Sequence, residues 1–585
     1  MKAELERLIA DATNTLVGTV LPHSVDAGSI SIERTRDASH GDFACNIALR
    51  LARSARKPPR EIAEAIVAAL AASPLLARAE VAGAGFINLY LAQSAQSAVL
   101  AQVLELADRY GCSDAGRGQK IILEFVSANP TGPLHVGHGR QAAYGATLAN
   151  MLRAVGHDLQ REYYINDAGR QMDILTLSTW LRYLEYCGES LEFPVNGYRG
   201  DYVRPIALQL YEQRGRELQH SAALVFAQLP PDAPAGDKEQ YIDALIARMR
   251  TLLGASGFQS VLELSLSLML ADIREDLAAF GVEFDHWYSE RELVRSGAVE
   301  HALEKLDAHG QLYPKDGAIW FRATCFGDDE DRVLVRANGQ KTYFAPDIAY
   351  HLQKRERGFD RLIDVLGEDH HGYVARVRGA LMAMGEPGDC LEACLIKFVN
   401  LYRGGQKIAM GKREAQFVTL RQLREEVGND ACRLTYLMTS HDQPLDFDLE
   451  LAKARTNENP VFYLQYAHAR VASVVKQLAA RALAYDQPLA LRSLDRLQSP
   501  YEQAALVALA RYPEVLLQAA GARAPHTLVH YLRELATAFH SWYNAATFIV
   551  EDAALRNARV ALALGVQQVL RNGLTLLGVS APESM

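Results

Sequence analysis

The sequence predicts a multidomain α/β protein. We expect a parallel-sheet domain with a helical insertion at its centre, an α+β domain before it and an α-helical bundle after it. Three observations predict this. The 585 residues exceed what one hydrophobic core organises. A β-α-β pattern lies between residues 121 and 166. A nearly continuous helical pattern, rich in Ala, Leu and Arg, ends the chain. The expected domains are 1–110, 111–455 and 456–585.

The first domain opens with "MKAELERLIADATNTL", which carries acidic residues early and has apolar residues at helical spacing. This pattern indicates an amphipathic helix and not a signal peptide. The segment closes with "VAGAGFINLYL", whose alternation predicts a strand. Between them, "RLARSARKPPR" (residues 50–60) holds five cations and no acid. Such a run fits either a solvated helix face or a surface that contacts phosphates.

The central domain begins with "IILEFVS" (residues 121–127), a short apolar run typical of a buried parallel strand. A helix through "GRQAAYGATLANMLRAVG" follows and ends at Gly156, and "LQREYYIN" is the next strand. Residues 173–280 are mainly helical in pattern, which predicts an insertion. Strand signals return at "AIWFRAT", "RVLVRA", "RLIDVLG" and "CLIKFVNLY".

Composition and charge exclude several classes of protein. The net charge of −9 argues against a wholly basic nucleic-acid binder, although residues 455–585 carry twelve basic and nine acidic residues. The chain has no run of eighteen apolar residues, so we expect no membrane span. Seven scattered cysteines suit a reducing cytoplasm, where we place the protein. Cys390 and Cys394 lack a second pair, so buried thiols are expected there and no protein-bound metal.

The stretch "NPTGPLHVGHGR" (residues 129–140) lies where the first strand gives way to the helix. His135 and His138 share a helix face, Gly137 lets a flat base approach the backbone, and a helix N-terminus offers free N–H groups. These features favour a nucleoside triphosphate site. A zinc pair would need i, i+4 spacing and a third ligand, and the Walker-like "GQKIAMGKR" is one residue too long. Two structural histidines are the remaining alternative.

The motifs carry a resemblance to a known family. "HVGH" resembles the HIGH signature of class I aminoacyl-tRNA synthetases, and "EFVSANPTGPLHVGHGR" resembles the arginyl-tRNA synthetases in particular. The similarity extends to "YYINDAGRQ", "TYFAPDIAYH", "GEDHHGY" and "NENPVFYLQYAHAR", and so covers essentially the whole chain.

The resemblance implies a Rossmann-type catalytic domain that attaches L-arginine to tRNA(Arg). The reaction would pass through an arginyl-adenylate and release AMP and diphosphate, with ATP and Mg²⁺ entering as the substrate complex. It also implies an N-terminal domain that meets the tRNA elbow and a C-terminal domain that reads the anticodon. We expect a monomer without contact to a membrane.

Site residues follow from the same resemblance. The residues expected to be catalytic are His135, His138 and Lys412. Those expected to bind ATP are Pro130, His135, Gly137, His138, Gly367, Asp369, Met410 and Lys412. The KMSK-like loop departs from the family pattern, because Ala409 replaces its first lysine and Gly411 its serine. Arg413 or Lys407 could supply the missing charge.

The expected arginine-binding residues are Glu124, Ser127, Asn129, Tyr343, Asp347 and His370. An ionised carboxylate is the natural partner of a guanidinium fork. The expected tRNA-binding residues are Arg50, Arg53, Arg56, Tyr463, Tyr466 and Arg470. The last three mix stacking groups with a cation, but at helical spacing they could equally belong to a core.

Two other classes of function stay open at this point. One is a different HIGH-type enzyme, either another class I synthetase or a nucleotidyltransferase. The other is a tRNA-binding paralogue without catalytic activity. The second should have lost the histidines or Lys412, and all three are present.

Overall fold

The computed structural model of the chain describes residues 2–35, 37–408 and 418–585. The first domain is an antiparallel sheet in the order β1-β2-β4-β3, covered by helices. Its elements are α1 (Lys2–Thr15), β1 (Ile32–Arg34), β2 (Phe43–Cys45), α2 (Ile47–Ala55), α3 (Pro59–Ala69), β3 (Leu76–Ala82) and β4 (Phe86–Leu91). Its core lies between the sheet and the three helices, with Leu5, Ile9, Phe43, Ile62 and Leu89 fully buried.

One further helix, α4 (Gln93–Leu106), follows the sheet but packs elsewhere. Its residues Leu100 and Val103 share a core with the last helices of the chain. The sheet itself is joined to the bundle by Arg34, whose guanidinium donates to both carboxylate oxygens of Glu514 at 3.1 and 3.3 Å. Because this ion pair is half-exposed, its contribution to docking is expected to be at most about 1 kcal/mol.

The central domain is built on five parallel strands in the order β12-β11-β5-β6-β7. They are β5 (Lys120–Phe125), β6 (Asp158–Ile165), β7 (His286–Ser289), β11 (Arg361–Gly367) and β12 (Leu391–Ile396). Helix α5 (Val136–Ala154) makes the predicted crossover between β5 and β6. The order places β5 in the middle, so the segment after it lies at the centre of the sheet's carboxyl edge.

The insertion between β6 and β7 is helical, as predicted. It contains α6 (Arg170–Tyr186), α7 (Val203–Arg214), α8 (Ala222–Val225) and α9 (Lys238–Ala279). Helix α9 is kinked at Gly254, whose φ of 63° and ψ of 179° are far from helical values. The kink falls beside the start of α6, and Arg250 on one side of it bonds Asp173 at 2.6 Å.

Between β7 and β11 lie α10 (Glu290–Arg295), α11 (Ala298–Ala308), a small antiparallel sheet and α12 (Phe344–Glu356). The small sheet contains β8 (Leu312–Lys315), β9 (Ala318–Phe321) and β10 (Arg332–Val335), so two of the predicted strands lie outside the parallel sheet. Helix α13 (His371–Ala383) connects β11 to β12.

The run "CLIKFVNLY" was predicted as one strand and forms parts of two. It contributes the end of β12 and the start of β13 (Val399–Arg403), which belongs to a separate sheet with β14 (Gln406–Lys407) and β15 (Leu445–Asp448). The break falls at Lys397 and Phe398. Lys397 N donates to His441 O, and the Lys397 carbonyl accepts from the buried Arg140 guanidinium. These tertiary bonds turn the chain out of the first sheet.

The remaining helices are α14 (Leu420–Val427), α15 (Asn429–Leu437), α16 (Leu449–Lys453), α17 (Pro460–Ala480), α18 (Gln487–Arg492), α19 (Pro500–Gly521), α20 (Pro525–Ala545) and α21 (Ala553–Leu577). The last five form the predicted bundle.

Two helices, α9 and α21, are long and apolar enough to cross a membrane by length and composition. Helix α21 packs at the centre of the bundle, where 72% of its apolar window is buried, whereas α9 packs against α6 with 39% of its window buried. None of the seven cysteines is in a disulfide, and Cys390 and Cys394 are buried as predicted.

Candidate active site

The carboxyl ends of four parallel strands bring the candidate residues to one edge of the sheet. Glu124 lies at the end of β5, Asp167 follows β6, Glu290 follows β7 and Gly367 ends β11. Helix α12 packs against β11 on one face of the sheet, and it adds Asp347 and Lys354. Ligands of open parallel sheets bind at this edge, where the strand order reverses.

The segment after β5 is a strained turn. We predicted strand through Ser127, but the strand ends at Phe125, and Val126 and Ser127 take φ values of 69° and 39°. The left-handed region is unfavourable for a β-branched residue, and strain of this kind typically costs about 1–3 kcal/mol per residue. The turn directs Ser127 Oγ back to Glu124 Oε1 at 2.9 Å and lets it accept from Tyr164 N at 3.0 Å.

The two histidines form a capping box at the start of α5. His135 is the N-cap, and its Nδ1 accepts from Gly137 N at 3.1 Å and from His138 N at 3.4 Å. In return, His138 Nδ1 accepts from His135 N at 3.3 Å. Because both Nδ1 atoms accept, the proton of each neutral ring sits on Nε2. The rings stack with centroids 3.6 Å apart and 17° between their planes. Each ring therefore carries an Nε2–H group that can donate to a phosphate oxygen.

One expectation about this helix start is wrong. We expected free N–H groups there, but the amides of His135, Gly137 and His138 donate to the imidazoles, and Val136 N donates to Val418 O at 3.3 Å. Gly137 also has a role that the sequence did not indicate. A Cβ at this position would lie 3.0 Å from the His135 ring, so the glycine lets that ring fold back over the helix start. Anion binding here must therefore rely on the imidazoles.

The segment after the KMSK-like motif is attached to the histidine motif. His135 and Thr419 form an isolated antiparallel bridge, and Leu420 N donates to Leu134 O at 2.8 Å. Met410 and Lys412, with Ala409, Gly411 and Arg413, lie outside the described residues. The description of the chain resumes at Val418, six positions after Lys412. Lys407 is exposed on β14, at the other end of that segment.

Carboxylates converge beside the turn. Burial, with the nearby Glu124 carboxylate, raises the pKa of Asp347 to about 6, although the Tyr373 hydroxyl donates to it. Burial, with Asp347 and Asp167 nearby, raises the pKa of Glu290 to about 7. Like charges held this close favour a cationic ligand, because a cation relieves their mutual repulsion. Glu290 and Asp167 were not among the predicted site residues.

The other predicted arginine-binding residues are exposed. Tyr343 is the N-cap of α12, and 76% of its surface is exposed. His370 is exposed, and its charge when protonated would act on Asp347. Asn129 is exposed, and its carbonyl accepts from Thr131 N at 2.7 Å. Tyr343 makes no hydrogen bond to Asp347 within the described residues, so the tyrosine that supports this carboxylate is Tyr373.

A buried ion network lies behind the cluster. The Lys354 ammonium has no exposed surface and donates to Glu124 Oε2 at 2.6 Å and to Asp364 Oδ1 at 2.9 Å. His351 Nε2 approaches the other oxygen of Asp364 at 2.8 Å. Burial alone would lower the pKa of Lys354, but Asp364 and Glu124 raise it above its ordinary value. Despite burial, Lys354 and His351 lower the pKa of Asp364. Lys354 therefore stays charged and fixes the orientation of Glu124.

The predicted ATP-binding residues after β11 lie close together. Asp369 is exposed at a short helical turn, and a Cβ on Gly367 would lie 2.6 Å from its carboxylate. The Asp369 carboxylate therefore lies close to the end of β11, where Gly367 carries no side chain. Pro130 is buried between the turn and the histidines.

Two surfaces hold the predicted tRNA-binding residues. Arg50, Arg53 and Arg56 are exposed along α2 and at its end. The other two cations of the run, Lys57 and Arg60, pair with Glu61 and Glu64 in the next helix, which the sequence pattern did not show.

In the bundle, the predicted side chains form one aromatic and cationic cluster. The Arg470 guanidinium lies between the rings of Tyr466 and Tyr543, at 4.3 and 4.7 Å from their centroids. It also donates to His540 Nδ1 at 3.2 Å, and His540 contacts the Tyr463 ring at 4.7 Å between centroids. Half-buried rings of this kind can pack internally while their outer faces accept a base.

Three site residues were not predicted from the sequence: Asp167, Glu290 and Lys354. Only the first of them lies in a motif that the sequence had indicated. Asp167 lies inside the quoted motif "YYINDAGRQ". Glu290 follows β7, a strand of four residues that we did not predict. Lys354 lies seven positions after Asp347 on α12, a spacing that normally indicates an exposed polar face. Its burial depends on Asp364 of β11, and the helix sequence alone does not indicate that partner.

Comparisons with known families cover all three domains. Residues 3–91 match the family described as the arginyl tRNA synthetase N terminal domain. Residues 99–195 match the tRNA synthetases class I (R) catalytic domain. Residues 464–585 match the DALR anticodon binding domain.

Full-length relatives are similar over the whole chain. An arginine–tRNA ligase of Thioalkalivibrio sulfidiphilus is 55% identical, and one of Legionella pneumophila is 50% identical, each with 100% of both chains covered. Among solved structures, an arginyl-tRNA synthetase of Thermus thermophilus aligns over 100% of both chains with a TM-score of 0.75 at 23% identity. A Campylobacter jejuni structure described as an arginyl tRNA synthetase is 30% identical, with a TM-score of 0.72 over 85% of this chain and 100% of that one.

Proposed function

Because the chain belongs to the arginyl-tRNA synthetase family, it joins arginine to tRNA with ATP as a substrate, and we propose how its own residues do so. One observation supports the assignment of roles. Along the chain, the strained turn after β5 lies between Glu124, which belongs to the carboxylate cluster, and the stacked imidazoles at the start of α5. A triphosphate at the imidazoles and a guanidinium at the carboxylates would then place the arginine carboxylate beside the α-phosphorus.

Asp347 and Glu290 bind the guanidinium, and Tyr343 closes over it. Glu124, held by Lys354, binds the α-amino group together with Ser127, while Asn129 and His370 complete the arginine site. Two ionised carboxylates suit the planar guanidinium and its five N–H donors. Citrulline would leave both carboxylates without a charged partner, so the site can reject it without a second hydrolytic domain.

The Nε2–H groups of His135 and His138 donate to the α- and β-phosphate oxygens as charge develops on them. Neither ring acts as a base, because the arginine carboxylate is already ionised. Gly367 and Asp369 lie where ribose and adenine would bind, and Pro130 fixes the approach to the histidines. Lys412 and Met410 complete the phosphate site, and Mg²⁺ enters with ATP. We expect a cytoplasmic monomer that takes tRNA(Arg) across α2 and the bundle.

The proposed function is tested by arginine-dependent exchange of pyrophosphate into ATP, run with and without tRNA. The amino-acid panel should contain arginine, lysine and citrulline. Exchange with arginine alone is expected. Exchange with another amino acid, or none with arginine when tRNA is present, would contradict the assignment.

Asp347→Asn is expected to raise the Michaelis constant for arginine by roughly 10–100-fold, which is the loss of affinity that removal of one charge-assisted hydrogen bond causes. The constant for ATP should change much less, because Asp347 lies in the carboxylate cluster and not beside the histidines. Steady-state exchange with each substrate varied in turn measures both constants. Asp307→Asn, on the exposed face of α11, is the control. Equal effects on arginine and ATP would refute the assignment.

Arginine affinity is expected to fall as the pH falls from 8 to 5.5. The pKa values of about 7 for Glu290 and about 6 for Asp347 mean that each carboxylate takes up a proton in this range and loses its attraction for the guanidinium. The free energy of unfolding depends on pH with the opposite sign. Both pKa values are raised on folding, so protonation stabilises the unliganded fold as the pH falls.

Calorimetric titration of arginine across this range measures the effect on affinity. Glu290→Gln should remove the transition near pH 7 and leave the one near pH 6. An affinity for arginine that does not change between pH 5.5 and 8 would show that these carboxylates are not the ligands.

A further inference from the structure

Arg140 lies two residues after His138 on α5 and has no part in the roles proposed for ATP and arginine. Its side chain is 1% exposed, and its guanidinium donates to three main-chain carbonyls, those of Lys397, Ser440 and Gln443, each at 2.8 Å. All three acceptors are neutral. Burial lowers the pKa of Arg140 to about 10, which still leaves the guanidinium charged at neutral pH.

The choice of an arginine at this buried position needs a physical reason. A buried charge is costly for the fold, and an apolar side chain would fill the same space at less cost. An arginine adds a rigid planar fork, which can hold several acceptors in fixed positions at once. Here the acceptors come from two separate segments, because Lys397 directly follows β12, while Ser440 and Gln443 lie between α15 and β15. Arg140 therefore fixes the start of α5 against both segments.

The first of these segments borders the ribose side of the proposed ATP site. Strand β12 ends at Ile396, which is paired with Gly367, the last residue of β11, in the parallel sheet. The Lys397 ammonium also bonds to Glu368, the residue between Gly367 and Asp369. The main chain at Lys397 is thus tied to the turn that carries Asp369, once by strand pairing and once by a side chain.

The contacts of Arg140 therefore join the two halves of the proposed ATP site. The imidazoles of His135 and His138 lie at the start of the same helix, and the ribose side lies at the end of β11. A ligand that engages two subsites gains affinity from the second only when the spacing of the subsites matches the ligand. The affinity for ATP should accordingly depend on how well this spacing is fixed.

We propose that Arg140 is a positioning residue for ATP, which holds the imidazoles and the end of β11 at the spacing that one nucleotide spans. The inference rests on the proposed function, which places the phosphates at the imidazoles and the ribose beside Gly367 and Asp369. Arg140 acts through the carbonyl of Lys397 and does not touch ATP. Loss of the fork leaves each half intact but lets their spacing vary, so only a ligand that spans both halves should bind more weakly.

The test compares three ligands by calorimetric titration without arginine or tRNA, at concentrations up to the millimolar range. ATP spans both halves, adenosine occupies only the ribose half, and inorganic tripolyphosphate occupies only the imidazole half. Arg140→Lys keeps the charge but replaces the fork by a single ammonium. It is expected to weaken ATP binding roughly tenfold, the effect of losing one charge-assisted hydrogen bond. The affinities for adenosine and tripolyphosphate should stay within about twofold of wild type, because each engages one half only.

Arg433→Lys is the matched control. Arg433 is also 1% exposed and also donates to three main-chain carbonyls, those of Leu577, Phe280 and Gly281, at the ends of α21 and α9. This variant should lower the melting temperature about as much as Arg140→Lys does and should leave the affinity for ATP unchanged. Arg140→Gln, which has no charge to bury, replaces Arg140→Lys if the lysine variant does not fold, and it should show the same pattern of affinities.

Three results would overturn the proposal. The folded Arg140 variant could bind ATP as tightly as wild type, it could lose affinity for adenosine or tripolyphosphate as strongly as for ATP, or Arg433→Lys could weaken ATP binding to the same extent. Failure of the proposed function would be seen separately, as wild-type protein that binds ATP but does not exchange pyrophosphate in response to arginine when tRNA is present.

Discussion

His138→Ala is expected to lower the rate of arginine activation by roughly 10²–10³-fold, the usual cost of removing one preorganised donor to developing charge. The capping box supplies the physical reason. His135 N donates to His138 Nδ1, so the proton of the neutral ring sits on Nε2, where it can be donated to a phosphate oxygen. Affinity for tRNA should not change, because His138 belongs to neither of the two predicted tRNA surfaces. Steady-state pyrophosphate exchange and tRNA binding measure the two properties.

A matched variant separates this role from helix capping. His138→Glu keeps a side chain that accepts from the N-cap amide, as glutamate does in ordinary capping boxes, but its ionised carboxylate has no proton to donate to a phosphate. It should melt at nearly the wild-type temperature and be at least as slow as His138→Ala. Full activity in the glutamate variant would reduce His138 to a structural cap.

Lys354→Met is expected to cost about 3–5 kcal/mol in the free energy of unfolding, the usual effect of breaking a buried ion pair from one side. Glu124 and Asp364 would be left close together and buried without their shared cation. Folded protein that remains should also bind arginine more weakly, because Glu124 loses the bond that orients it. Urea unfolding and arginine titration measure the two effects.

The control for this variant is Lys305→Met on α11. Lys305 is half-exposed and pairs with Glu356 and Glu386 at 3.7 and 3.5 Å, so its loss should cost under about 1 kcal/mol. Adding Asp364→Asn to Lys354→Met should recover part of the stability, since one uncompensated charge is removed. If the two lysine variants were equally stable, the buried network would not be the cause.

Local sequence pattern was sufficient to predict much of the fold. The β5-α5-β6 unit, the helical insertion and the terminal bundle were all predicted, because each depends on a periodicity that the segment itself carries. The errors occur where distant residues decide. Valine favours strands, so "VS" was assigned to β5, yet Ser127 bonds to Glu124 and to Tyr164 of the next strand and sustains a left-handed turn instead.

The residues of the candidate site also fall into two groups, those that local sequence pattern predicts and those that depend on distant neighbours. His135, His138 and Asp347 lie in motifs whose spacing carries information. Glu290 and Lys354 do not, because their importance comes from neighbours on other strands. The free amides expected at the start of α5 were a reasonable inference from helix geometry. They were wrong because the His135 ring caps the helix, a role that serine, threonine, aspartate and asparagine usually fill.

The left-handed turn at Val126 and Ser127 makes stability and activity opposing goals for anyone redesigning this enzyme. Glycine at 126 would relieve the unfavourable backbone angle and would be an obvious choice for thermostabilisation. The same change would give the loop many more conformations, and the serine and asparagine that follow would spend less time in the geometry that substrate binding needs. The costly valine is therefore a position that heat-resistant variants of this chain should leave unchanged.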